Sequence, residues 1–167
     1  YYIYSMGNYL ASYYDMETRE FVQIGLDAVL PPAEGKHKLV LFVVGETVRT
    51  DHLSLAGYQR NTNPQLQKEH LVAFKNFSSC GTSTAVSVPC MFAAHDRAAH
   101  NKAKAESSEN VLDVLQRIGV SVSWLDNNSD SKGVALRVPY ETYKTAATNP
   151  ECDDIECRDV GMIEVLP

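Results

Sequence analysis

The stretch from Ser79 to Phe92, SCGTSTAVSVPCMF, sets two cysteines around a hydroxyl-rich turn and then becomes small and apolar. Gly81 frees the backbone to turn, and Ser83 or Thr84 can cap a helix beginning there. A hydroxyl at that position lies beside unpaired backbone N–H groups and the positive end of the helix dipole, a natural seat for a phosphate. Thr84 is therefore a candidate nucleophile that carries a phosphoryl group. The other reading is a disulfide-stapled, helix-capping turn with no chemistry.

Two further segments could serve such a nucleophile. Gly45-Glu46-Thr47 follows the apolar run Leu39–Val44, and α/β sheets place ligand groups at the carboxyl ends of their strands. Glu46 is thus a metal-ligand or acid–base candidate, or else it caps the next turn. The polar run Asp126 to Gly133 follows a strand-like segment in the same way. Lys132 can meet a phosphate there and Asn128 and Ser129 can hydrogen-bond it, or the run is a solvated turn. A threonine hydroxyl needs its proton removed or masked, and a divalent metal shared by Glu46 and Thr84 would do this.

The four cysteines form two close pairs, Cys80/Cys90 and Cys152/Cys157. Three pairings are possible. Local pairing needs the least rearrangement and is expected, which implies an oxidising compartment. A four-thiolate zinc site is the weaker alternative, because these spacings are wide for one.

These residues must be positioned by the surrounding elements. Leu39–Val44 reads as a strand buried on both faces, and Leu71–Phe77 as a shorter one. The latter leads into the cysteine turn and a helix that Pro89 limits. Glu109–Ile118 is an amphipathic helix with Val111, Leu112, Leu115 and Ile118 on one face and Gly119 as its stop. Val120–Leu125 alternates as a strand. Asn61–Pro64 opens a helix, Glu20–Leu30 is a short helix stopped by Pro31-Pro32, and Ala94–Ser108 is an exposed loop. Strand–helix–strand–helix–strand with crossovers makes an α/β domain.

Composition narrows the class. The chain has 167 residues, 44% of them apolar and 22% charged, which suits one globular domain or a piece of one. A net charge of −6 gives no reason to expect a nucleic-acid partner. The cluster Glu151, Asp153, Asp154, Glu156 and Asp159 is most simply a solvated loop. Six of the nine tyrosines lie in Tyr1–Tyr14, where they suit either a membrane surface or packing on the domain itself. No apolar run reaches the ~20 residues that cross a bilayer. The chain shows neither an initiator Met nor a signal peptide, and its start is expected to be a cut through a longer protein.

Several blocks in order, Val43-Val44-Gly45-Glu46-Thr47, Arg49, Asp51-His52, Gly57-Tyr58, Cys80–Phe92, Asp126–Gly133 and Glu156–Met162, together resemble the phosphoethanolamine transferases that modify lipid A, in the branch of the mobile colistin-resistance enzymes. The resemblance implies an alkaline phosphatase/sulfatase-like α/β/α sandwich, of which this chain is the N-terminal part, and zinc as cofactor. It implies Thr84 as nucleophile and zinc ligand, Glu46 as a second zinc ligand, and Thr82, Asn128, Ser129 and Lys132 in the substrate pocket. Both cysteine pairs match family disulfides. Residues 1–38 would be a connector from a membrane domain and 39–167 part of a periplasmic catalytic domain of an inner-membrane enzyme. The substrates would be phosphatidylethanolamine and lipid A, and the outcome polymyxin and colistin resistance.

The family's other zinc ligands, an Asp-His pair and further histidines, have no counterpart here. Asp51-His52, His95-Asp96 and His100 read as surface or structural groups. The 167-residue chain is accordingly expected to bind zinc weakly and to have little transferase activity. Two other functions remain: a hydrolase of the alkaline phosphatase–sulfatase group, and a non-catalytic, disulfide-stapled envelope domain.

Overall fold

The computed structural model describes residues 2–17, 20–32, 35, 38–45, 47–74 and 76–166. Glu46 and the ligand role assigned to it lie outside the described residues. The chain divides into two units, Tyr1–Pro31 with Cys80–Pro167, and Pro32–Ser79.

The first unit carries helices α1 (Tyr2–Glu17), α2 (Thr84–Phe92), α3 (Lys102–Glu106) and α4 (Val111–Arg117), and strands β1 (Trp124–Asp126) and β2 (Tyr140–Thr142). The strands run parallel, with Trp124 opposite Tyr140 and Asp126 opposite Thr142. A parallel pair needs a long crossover, and residues 127–139 supply it. Its core gathers Val88, Cys90 and Phe92 of α2, Val134, Ala135 and Val138 of the crossover, and Tyr143. Phe92 meets Trp124 edge-on, with ring centroids 5.6 Å apart, so α2 packs on the head of β1. Both disulfides, Cys80–Cys90 and Cys152–Cys157, are present.

The helix after Glu109 forms as its sequence predicts, one turn shorter. Asn110 caps it: its Oδ1 accepts from the Leu112 amide, and Asp113 Oδ2 accepts from the Asn110 amide. Asp113 also takes two hydrogen bonds from Arg137 at 2.8 and 2.7 Å. At the other end, Gly119 takes φ +97, the left-handed conformation of a helix stop.

Several expectations need correction. Glu20–Leu30 is not a helix. Val22 instead bridges the segment 107–109, donating to Ser107 O and accepting from the Glu109 amide, each at 2.9 Å. Arg117 donates to the carbonyls of Ile24 and Gly25, and the Ile24 amide donates to Glu109. Gly25 sits at φ +56, where a Cβ would stand 3.3 Å from Val114 Cγ1. These tertiary hydrogen bonds outweigh a helix propensity worth only a few tenths of a kcal/mol, roughly, per residue. The segment Ala94–Ser108 is not all loop, because Asn101 caps the short helix α3. Pro89 does not end α2, which continues to Phe92.

Further corrections lie in the second unit. Leu39–Val44 and the described part of Leu71–Phe77 are in no strand. Leu39, Val40, Leu41 and Val43 are each more than half exposed, and Val72, Phe74 and Phe77 at least three-quarters exposed. A buried parallel strand needs a neighbour on each side, and β1–β2 is the only paired sheet among the described residues. The unit instead contains 3-10 turns at Thr50–His52, Ser54–Ala56 and Leu66–Lys68. The helix expected after Asn63-Pro64 is this last single turn. Ser54, Thr62 and Gln67 tie the turns together through side-chain hydrogen bonds of 2.8–3.0 Å.

Candidate active site

Thr84 is the first residue of α2, and Ser83 before it is extended, with φ −109 and ψ 136. The Ser83 carbonyl accepts from the Val86 and Ser87 amides at 3.0 and 2.9 Å, which starts the helix. The first N–H groups of a helix lack intrahelical partners and carry the positive end of its dipole. Thr84, half-buried, is placed at that end. The Cys80–Cys90 bridge ties the turn to the third residue from the end of α2. Gly81 is required by close approach, since a Cβ there would lie 3.0 Å from Val86 Cγ1. Thr82 is exposed on the same turn.

The second group stands on the loop that leaves the carboxyl end of β1. Asp126, buried at that end, pairs with Lys144 at 2.5 Å, and its carbonyl accepts from the Tyr143 amide at 2.8 Å. Asn127 Nδ2 donates to Cys157 O at 2.6 Å and to Asp159 Oδ1 at 2.9 Å, which ties the loop to the second disulfide. Ser131 is buried, and its Oγ accepts from the Ala135 amide at 3.1 Å. Between these anchors Lys132 Nζ turns back to Ser129, donating to its Oγ at 2.7 Å and its carbonyl at 3.0 Å. Asp130 and Lys132 have φ of +105 and +52, each costing about 1–3 kcal/mol in a residue with a Cβ. The Lys132 amide donates to Asp130 Oδ1 and holds that carboxyl below the usual carboxylate range, with slight burial opposing.

Of the residues singled out in the sequence, the structure brings Ser129 and Lys132 into contact. Asn128 and Ser129 line an open depression of about 880 Å³ together with Asn127, Lys144 and the 153–159 segment. Thr82, Thr84 and Lys132 do not line it. Asn127, Asp130 and Lys144 were missed by sequence reasoning. The polar run Asp126–Lys132 was the signal, but nothing in it tells which members bind each other.

Among the described residues there is no group of three or more His, Cys, Asp or Glu side chains placed to hold a metal ion. Catalytic zinc usually takes three protein ligands and an open position, so the described residues do not by themselves fit a zinc centre. Asp51-His52 has another occupation in the second unit. Asp51 takes two hydrogen bonds from Arg49 at 2.9 and 2.7 Å and lies 3.1 Å from His52 Nδ1. Those bonds hold its carboxyl far below the usual range. None of the described helices is long and apolar enough to cross a membrane.

The Sulfatase family profile matches residues 38–162. The phosphatidylethanolamine transferase Mcr-1 of Escherichia coli is 46% identical over 96% of this chain and 32% of its own length. The solved soluble domain of lipooligosaccharide phosphoethanolamine transferase A from Neisseria meningitidis superposes with a TM-score of 0.80 at 39% identity, over 87% of this chain and 45% of that one. The integral membrane form of the same Neisseria meningitidis transferase superposes with a TM-score of 0.83 at 37% identity, over 95% of this chain and 31% of that one. The chain thus spans about a third of the length of the curated relatives it matches.

Proposed function

The chain belongs to the sulfatase family and is related within it to the phosphoethanolamine transferases, and on that premise we propose that the whole protein transfers phosphoethanolamine from phosphatidylethanolamine to lipid A through Thr84. The observation that carries this reading is Thr84 opening α2 inside the Cys80–Cys90 bridge.

In the first step the Thr84 oxygen attacks the donor phosphorus. A phosphorus–oxygen bond to Thr84 forms, the bond to the diacylglycerol oxygen breaks, and diacylglycerol leaves with a proton. In the second step a phosphate oxygen of lipid A attacks the same phosphorus, the bond from phosphorus to the Thr84 oxygen breaks, and that oxygen takes the proton that the attacking phosphate gives up. The α2 terminus supplies fixed positive potential where phosphoryl charge develops. Lys132, with Ser129 and Asn128 beside it, adds a cation and hydrogen-bond donors for that charge. Thr82, exposed on the same turn as Thr84, would offer a further hydroxyl to the substrate.

Zinc belongs to the same proposal, with Glu46 and Thr84 as this chain's donors. When bound it would lower the pKa of the hydroxyl and draw charge from the phosphoryl group. The two disulfides suit an oxidising compartment, and the integral membrane relative supports an enzyme anchored in a membrane, which we read as the inner membrane with the catalytic part in the periplasm. Adding a cationic ethanolamine lowers the negative surface charge of the lipid and so weakens its attraction for cationic peptides such as polymyxins.

The test is mass spectrometry of lipid A and of the Thr84 peptide from cells making the whole protein. Modified lipid A and a phosphoethanolamine adduct on Thr84 are expected. Unmodified lipid A with free phosphoethanolamine released would make water the acceptor and the protein a hydrolase.

A further inference from the structure

The loop after β1 holds a residue with no part in the reaction so far. Asp130, Lys132 and Gly133 all have positive φ, at +105, +52 and +87. Three such residues within four positions reverse the chain tightly enough for the Lys132 side chain to return to Ser129, its neighbour three residues earlier. Gly133 adopts this conformation readily, whereas Asp130 and Lys132 do so only if something holds them.

The neighbours of Asp130 are engaged elsewhere. Ser131 is buried and turned toward the Ala135 amide, and the Ser129 hydroxyl accepts the Lys132 ammonium. Asp130 Oδ1 accepts from the Lys132 backbone amide at 2.6 Å and lies 3.5 Å from Lys132 Nζ. One carboxylate oxygen therefore fixes the Lys132 backbone and also faces its ammonium. Aspartate suits the position, because a short acceptor can bond the amide two residues on and tolerates positive φ.

We propose that Asp130 is a positioning residue, whose carboxylate pins the Lys132 backbone so that the Lys132 ammonium rests on Ser129, ready for a substrate phosphate. This rests on reading Ser129 and Lys132 as phosphate-binding groups. Asp130 itself stays clear of the substrate, and its effect passes entirely through Lys132.

The experiment uses the whole protein with Asp130→Asn, Asp130→Gly, Lys132→Ala and the double variant Asp130→Gly/Lys132→Ala. Asparagine keeps an acceptor in place, whereas glycine removes it and relaxes the backbone. Asp130→Asn should keep kcat/KM for the donor lipid within about threefold of wild type, and Asp130→Gly should lose about tenfold or more. In the Lys132→Ala background, Asp130→Gly should cost less than about twofold further. Crystal structures should show Lys132 on Ser129 in the asparagine variant and displaced in the glycine variant. Equal losses for the two Asp130 variants, or full additivity with Lys132→Ala, would overturn the proposal. If the glycine variant does not fold, a loss beyond threefold in Asp130→Asn overturns it alone. If wild type modifies no lipid, the functional reading fails, and the crystal structures still decide the positioning.

Discussion

The side chain of Asn149 occupies the space that a Cβ on Gly161 would need: its Oδ1 lies 1.7 Å from that position. Asn149 is fully buried. Its Nδ2 donates to Tyr143 O and Arg158 O at 3.0 Å each, and its Oδ1 accepts from the Glu151 amide at 2.9 Å. One amide thus joins the end of the β2 region to both flanks of the second disulfide.

Gly161→Ala should consequently drive the added methyl into Asn149 and destabilise the protein by several kcal/mol, the upper range for overpacked sites. Asn149→Ala should cost about 1–3 kcal/mol for each partner left buried and unsatisfied. Thermal melting of the purified variants measures both. An unchanged midpoint in Gly161→Ala would show that the segment around residue 161 can move away.

Thr84→Ala should abolish lipid A modification, by three or more orders of magnitude, the scale on which removal of a nucleophile acts. The variant should still fold, because the Ser83 carbonyl accepts the first amides of the helix whatever the side chain at residue 84. Thr84→Ser keeps a hydroxyl and should retain part of the activity. Quantitative lipid A mass spectrometry beside a melting curve separates loss of chemistry from loss of fold.

Acid should loosen the docking of residues 20–25 on α4. The Arg117 hydrogen bond holds the Glu109 carboxyl below its ordinary value, and the Ile24 amide assists against burial. Burial pushes Asp113 up, but hydrogen bonds from Arg137 and the Asn110 amide outweigh it and leave Asp113 below its ordinary value. Both folded values lie below the unfolded ones, about 4.3 for Glu and 3.9 for Asp. Their contributions are therefore present above those values and fade as pH falls through the folded ones. The denaturant midpoint should drop below about pH 4, and the drop should be shallower in Glu109→Gln. A midpoint independent of pH would contradict this.

Chelation should remove transferase activity from the whole protein, and added zinc should restore it. Residues 1–167 alone should bind zinc weakly and turn over little lipid, since the described residues hold no cluster of three or more ligands. Calorimetric titration of zinc into the 167-residue chain decides this. Tight binding would mean that the chain completes a metal site by itself.

Local signals were the legible part of the sequence. The start of α2 at Ser83–Thr84, the stop at Gly119 and the polar loop beyond β1 each depend on neighbours a few residues apart. Local pairing of the cysteines follows the same rule. The runs at Leu39 and Leu71 have the composition of buried strands, but composition reports only that a segment seeks burial. It does not supply the neighbouring strands. The segment at Glu20 shows the reverse, a local helix pattern overruled by Glu109 and Arg117 about ninety residues away. The contact of Lys132 with Ser129 was hidden because it depends on backbone angles that the residue types permit without dictating.

The bond from Asn127 to the Cys157 carbonyl gives the second disulfide a reach beyond its own loop. Reduction there would remove one constraint behind the segment bearing Ser129 and Lys132 while leaving both residues chemically untouched. Maturation would then have an order, with thiol oxidation tightening the support of this loop before it meets a substrate.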